Sequence, residues 1–383
     1  MSALATALVR LGDEVTGADR TLGTPNIRFL EALGVKVYPD DGSGIDASTD
    51  EVIVSTAIEA TNAGLVKAHA LGLQVTHRAK ALARTLKDYQ LVAVVGTCGK
   101  STVTAMLGHI LAVCGMDPMC VNGANVPGWE GAVRFGKGRY AVAEVDESDK
   151  SLVAFHPHAA IVTNASADHY SKEEMDAVFD AFIRNLPGPL VDGRRLGGEI
   201  EVSVPGRHNR NNAFLALQMA LALGCDETAA RSALLSFGGV ERRLQRYGAR
   251  VFDDYAHNPE KLHAMWTTLA AEAPHGLCVI WRPHGYAPLR KMLEALATMF
   301  NQTIRPQDRL LLLPVYDAGG TTDRSLNSEA LAAKVPRAVL VADLDAAYDW
   351  CAAHRGEFSL FATCGARDPA LPGLARRLAA MTE

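Results

Sequence analysis

The stretch "QLVAVVGTCGKSTVTAML", residues 90–107, decides how the rest of the chain is read. An apolar, β-branched run meets Gly96 and Gly99, and Lys100-Ser101 then open a segment with helical spacing at Val103, Met106, Leu107, Ile110 and Leu111. A buried strand that turns through glycine into a helix aims backbone N–H groups and the positive end of the helix dipole at an anion. In that reading Gly96, Thr97, Cys98, Gly99 and Thr102 surround a nucleotide's phosphates. Lys100 reaches the β- and γ-phosphates, and the Ser101 hydroxyl meets Mg²⁺. The longer spacing G-x-x-x-x-G-K-[ST] is not met, because Val94 stands where its first glycine falls. A tight strand-to-helix turn with an exposed lysine accounts for the same residues, so context has to decide.

The context is a series of strands and helices. Short apolar runs recur at 51–58, 91–96, 140–146, 158–164, 277–283, 309–316, 338–343 and 358–366. Their nearly continuous apolarity is the mark of strands buried on both faces. Ala- and Leu-rich stretches with helical spacing lie between most of them, such as "NNAFLALQMALALG", which Gly224 closes as a C-cap. Strand alternating with helix predicts an α/β fold of doubly wound, mostly parallel sheets. Seams near "TLKDYQ" (85–90) and Gly238-Gly239 predict three domains: 1–87, 88–237 and 238–383.

Bulk properties narrow the function. At 383 residues the chain is too long for a single core. A net charge of −5 argues against nucleic acid and anionic membranes as partners. No apolar stretch reaches the roughly 18 residues of a membrane span. The opening "MSALATALVRLGDEV" reads as an amphipathic helix without a cleavable signal pattern. The seven cysteines are scattered with no C-x-x-C pair, against a disulfide framework or a zinc site. These features together predict a cytoplasmic, reduced protein.

Several further motifs stand in order along the chain. They are "AEVDESDKS" (143–151), "AIVTNASADHY" (160–170), "VPGRHNRNNAFLA" (204–216), "GGVERRLQRYG" (238–248), "VFDDYAHNPEKL" (251–262) and "WRPHGYAPLRKM" (281–292). With "GTCGKSTVTAM", this set resembles the Mur ligase family, whose shortened loop pattern is G-T-x-G-K-[ST]. The resemblance makes residues 96–101 a different loop design, in which Cys98 replaces the usual histidine. It implies three domains: a Rossmann-like N-terminal domain, a P-loop-type ATPase centre and a Rossmann-like C-terminal domain.

The activity it implies is ATP-dependent amide formation through an acyl phosphate. The substrates would be a carboxylate, of the UDP-N-acetylmuramate kind used in peptidoglycan synthesis, and an amino acid or amine. By the same resemblance ATP and Mg²⁺ are the cofactors, with Glu144, Ser101 and His169 as metal ligands. Lys100, Glu144, His169 and Arg243 carry the chemistry. Asn209 and Asn212, one helical turn apart, face adenine, though Asn209 also reads as a helix N-cap. Arg243 and Asp254 complete the nucleotide set, and Ser55, His257, His284, Tyr286 and Arg290 lie toward the substrates.

Three departures bear on substrate. Met1 corresponds to a methionine that is internal in the family, so the first strand and its glycine loop are expected to be missing from the N-terminal domain. The segment between 188 and 204 is shorter than in the family. Gly285 and Ala287-Pro288 replace cationic or hydroxyl side chains in the loop that helps form the amine site. Two alternatives follow: a paralogue acting on a carboxylate outside the cell wall, and a nucleotide-binding regulator without ligase activity.

Overall fold

The computed structural model describes residues 1–146, 151–165, 172–317 and 323–382. The chain gathers into two compact units: Met1–Ser203 with Asn209–Val240, and Val204–His208 with Glu241–Glu383.

Among its described residues the first unit carries ten strands. They are β1 (Thr16–Asp19), β2 (Lys36–Pro39), β3 (Glu51–Val54), β4 (Gln74–His77), β5 (Gln90–Val95), β6 (Met119–Val121), β7 (Val133–Arg134), β8 (Tyr140–Glu144), β9 (Ala159–Val162) and β10 (Leu190–Asp192). The last six make one sheet in the order β10-β9-β5-β8-β6-β7, parallel except for β7. After β5 the chain moves outward on one side to β6, returns to β8, and crosses β5 to reach β9. That reversal puts a crevice at the carboxyl end of β5, where doubly wound sheets hold their ligands. Val92 to Val95 are fully buried, as a strand covered on both faces requires.

The Rossmann-like sheet expected for residues 1–87 takes the form of two separate parallel pairs, β1–β2 and β3–β4. Among the described residues no ladder joins them. A two-stranded ribbon is marginal by itself, and helices anchor this segment instead. Ala7 of helix Ser2–Leu11, Ala79 of helix Arg78–Thr85 and Leu86 join the same core as Ala93 and Val95 of β5.

The second unit holds β11 (Gln245–Tyr247), β12 (Val251–Asp254), β13 (Leu277–Trp281), β14 (Arg309–Leu312), β15 (Ala338–Leu340) and β16 (Leu360–Cys364). Their order is β11-β12-β16-β13-β14-β15, parallel apart from β11. Leu277, Val279 and Trp281 enter one core, while Cys278 and Ile280 enter the core on the opposite face. Both faces are therefore apolar, and the run reads as continuous rather than alternating. Each fully buried Leu, Ile or Phe of this kind contributes about 1.5–3 kcal/mol. All seven cysteines are free.

Candidate active site

Between β5 and the helix Lys100–Val113 the backbone turns through Gly96, at φ 131°, and Gly99, at φ 84°. Gly99 is the helix N-cap and provides no side-chain cap, so the first N–H groups of the helix depend on another acceptor. The loop is held from the end of β9. Asn164 Oδ1 accepts from the Thr97 hydroxyl at 2.6 Å and from the Cys98 N–H at 3.0 Å. Asn164 Nδ2 and Thr163 Oγ1 both donate to the Cys98 carbonyl, at 2.9 and 2.7 Å. A Cβ on Gly96 would stand 2.1 Å from Thr163 Oγ1, so this clamp needs glycine there. In this clamp Cys98 is held through its backbone N–H and carbonyl. Lys100 Nζ rests on the Gly96 carbonyl at 2.6 Å.

Two more groups of the first unit lie at the same crevice edge. Glu144 ends β8, and its Oε2 accepts from the Gly123 N–H at 2.8 Å, which fixes the carboxylate's orientation. Asn212, in the helix Arg207–Ala222, places Oδ1 2.6 Å from where a Gly99 Cβ would be. Asn209 is the third residue of that helix and 3% exposed, so it is not the N-cap expected as one reading of it. Ser101 and Thr102 are buried in the first turn of helix Lys100–Val113. Ser55 directly follows β3, where its carbonyl accepts from the Ile58 N–H. His169, and residues 147–150 of the acidic motif, lie outside the described residues.

In the second unit, the two adjacent arginines differ. Arg242, at φ 58°, is locked by Asp253 Oδ2 at 2.9 Å and the Gly365 carbonyl at 2.6 Å. The Arg243 guanidinium donates to the Arg242 carbonyl and sits 4.7 Å from the centre of the Tyr255 ring, which Arg242 also approaches, at 5.4 Å. Asp254 accepts from the Leu244 and Ala256 N–H groups, both at 2.7 Å, tying the arginine turn to the end of β12. Burial pushes its carboxyl up, and Arg243 opposes the shift. The His257 and His284 rings meet edge to face at 4.9 Å, on the loops after β12 and β13. Tyr286 begins the helix Tyr286–Thr303. Arg290, one turn on, is ion-paired with Asp323 at 2.7 Å.

The chain matches two family models: "Mur ligase family, catalytic domain" over residues 1–90 and "Mur ligase, glutamate ligase domain" over 241–367. It is 35% identical to the UDP-N-acetylmuramate–L-alanine ligase of Rubrobacter xylanophilus, over 83% of this chain and 82% of that one. The chain belongs to the Mur ligase family. The enzyme of the same name from Renibacterium salmoninarum is 33% identical over 83% of this chain and 80% of its own. Among solved structures, UDP-N-acetylmuramate–alanine ligase from Thermotoga maritima shares the fold, with a TM-score of 0.82 at 23% identity, covering 99% of this chain and 96% of that one. A murein peptide ligase from Psychrobacter arcticus gives 0.68 at 20% identity, covering 100% and 96%.

As a Mur ligase the chain is an ATP-dependent, amide-forming acid–amino-acid ligase. No helix among the described residues is long and apolar enough to cross a membrane. Sequence reasoning overlooked the loop's clamp in this Mur ligase. Thr163 and Asn164 lie inside "AIVTN", which pointed only toward His169. The available signal was a Thr-Asn pair just past a buried strand, where side-chain amides and hydroxyls hold neighbouring backbone.

Proposed function

We propose that this chain joins the carboxylate of a UDP-N-acetylmuramate-type substrate to the amine of an L-amino acid, at the cost of ATP. The observation that carries the reading is the glycine loop gripped by Thr163 and Asn164, with Lys100 and Ser101 at its helical end. The names of the relatives support the choice of substrates.

The substrate carboxylate attacks the γ-phosphorus and ADP leaves; the amine then attacks the carbonyl carbon of the acyl phosphate, gives up a proton and displaces inorganic phosphate, leaving the amide. Lys100 and Arg243 offset charge on the transferring phosphoryl group, an electrostatic role that weighs heavily in such reactions. Ser101 and Glu144 are oxygen donors of the hard kind that Mg²⁺ takes, and His169 is proposed as a further ligand. Bound there, Mg²⁺ supplies positive charge to the triphosphate oxygens. Residues 1–87, with Ser55, are proposed to serve the carboxylate substrate. Residues 88–237, with Asn209 and Asn212, serve ATP, as do Arg243 and Asp254, and 238–383, with His257, His284, Tyr286 and Arg290, serve the later steps.

The test is phosphate release from ATP and Mg²⁺ with UDP-N-acetylmuramate, screened against each L-amino acid, with the product weighed by mass spectrometry. Turnover that needs both substrates, and a mass equal to their amide, supports the reading. ATP turnover without an amide, or with a different carboxylate only, overturns it.

A further inference from the structure

Strand β16 lies between β12 and β13, pairing Cys364 with Asp254 on one side and with Trp281 on the other. The loop that leaves β16 is therefore flanked by the loops that carry His257 and His284. Arg367 sits in this loop, exposed to solvent. Its Nη1 lies 3.9 Å from the position a Cβ would take on Gly285, the N-cap of helix Tyr286–Thr303. Gly285, at φ 157° and ψ 158°, places no side chain in the space the guanidinium reaches.

The neighbouring cations are committed. Arg282 pairs with Asp368 at 2.5 Å, which also takes from Arg367 the carboxylate beside it in sequence. Arg290 pairs with Asp323 and Arg324 with Asp317, both at 2.7 Å, and Arg242 pairs with Asp253 at 2.9 Å. Among the described residues, none provides Arg367 with an ion pair. An exposed guanidinium at the amino end of an 18-residue helix, on a loop flanked by the loops of His257 and His284, suits a small carboxylate, which it can grip through two parallel N–H bonds.

We infer that Arg367 binds the α-carboxylate of the incoming amino acid and so sets specificity for an amino acid over a plain amine. This rests on the ligase reading proposed above. The side chain comes from the loop after β16, whereas the opening of helix Tyr286–Thr303, where Gly285 and Ala287 stand, presents no cation.

The experiment compares wild type with Arg367→Ala and Arg367→Lys, using the amino acid that supports turnover and its α-amide. Arg367→Ala is expected to raise the amino-acid KM roughly 10- to 100-fold, the range for losing a charge-assisted pair. Its kcat and its KM for ATP stay unchanged. Discrimination against the amide narrows by the same factor, Arg367→Lys falls between, and added guanidinium ion lowers the raised KM. An unchanged KM and unchanged discrimination in Arg367→Ala, with an active wild type, overturn the inference and leave the ligase reading standing. Turnover only with amines that lack a carboxylate overturns both the inference and the choice of an L-amino acid as substrate. A wild type that forms no amide overturns both.

Discussion

A Cβ on Gly99 would stand 2.6 Å from Asn212 Oδ1, so the glycine loop and the helix Arg207–Ala222 meet at a point that admits no side chain. Gly99 also holds φ 84°, a region that costs an L-residue about 1–2 kcal/mol. Gly99→Ala is therefore expected to raise the KM for ATP at least ~10-fold, equivalent to ~1.4 kcal/mol. Adding Asn212→Gly removes the clash but not the backbone cost, so it should recover only part of the loss. ADP-release kinetics on the two variants check this, and a single variant with wild-type KM would refute it.

Asn164 ties the Thr97 hydroxyl and both backbone groups of Cys98 in one place. Asn164→Ala should lower kcat/KM for ATP by roughly 10- to 100-fold, given about 0.5–1.5 kcal/mol per hydrogen bond. Asn164→Asp keeps the acceptor but loses the donor to the Cys98 carbonyl, and should fall between. Equal kinetics for Asp and Ala variants would show that the accepting oxygen contributes nothing.

Lys100 rests its amine on the Gly96 carbonyl, 2.6 Å away, within the loop it would serve. Lys100→Ala should reduce ligase turnover by a factor of 100 or more, a loss of at least ~2.7 kcal/mol in transition-state stabilisation. Circular dichroism and melting temperature should stay near wild type. A variant that turns over normally sinks the loop's assignment.

Asp308 is fully buried and ties the second unit together, accepting from Trp266 Nε1 at 3.0 Å, the Leu277 N–H at 2.9 Å and Arg305 Nη2 at 2.8 Å. Burial alone would push its carboxyl up, but Arg305, Trp266 and Leu277 hold it below the ordinary range. A carboxyl depressed on folding stabilises the protein above its unfolded value, about 3.9, and that stability is lost as pH falls through the folded value. Asp253 and Asp254 work the other way, because burial raises them despite Arg242 and Arg243. Through Asp308 melting temperature should drop below roughly pH 4, against the opposite trend of Asp253 and Asp254. Asp308→Asn should melt lower at pH 7 and lose most of the acid-dependent decline. An unaltered slope in that variant would show that other carboxylates cause it.

Much of the arrangement was legible because it is local. Each apolar run named from the sequence contains or overlaps a strand: β3, β5, β8, β9, β13, β14, β15 or β16. The strands left unread, such as β1, β6 and β7, have two to four residues, too few for a pattern to rise above composition. The pair Arg242-Arg243 was legible as a pair of cations, but not as one arginine locked to a buried carboxylate and one that donates to its neighbour's carbonyl. That division depends on Asp253 and Gly365, brought in by β12 and β16.

The sequence by itself determined the alternation of strand and helix, the glycine turn into helix Lys100–Val113 and the membership of a ligase family, because each depends on neighbours along the chain. Tertiary structure decided what grips the loop, since Thr97 and Asn164 meet across 67 positions. It decided that residues 1–87 form two strand pairs hung on helices rather than one sheet. It also placed Arg367 beside Gly285, because β16 inserts between two strands that precede it in the chain. Such contacts depend on which strands become neighbours, and pairing is settled by packing over the whole sheet rather than by any one segment.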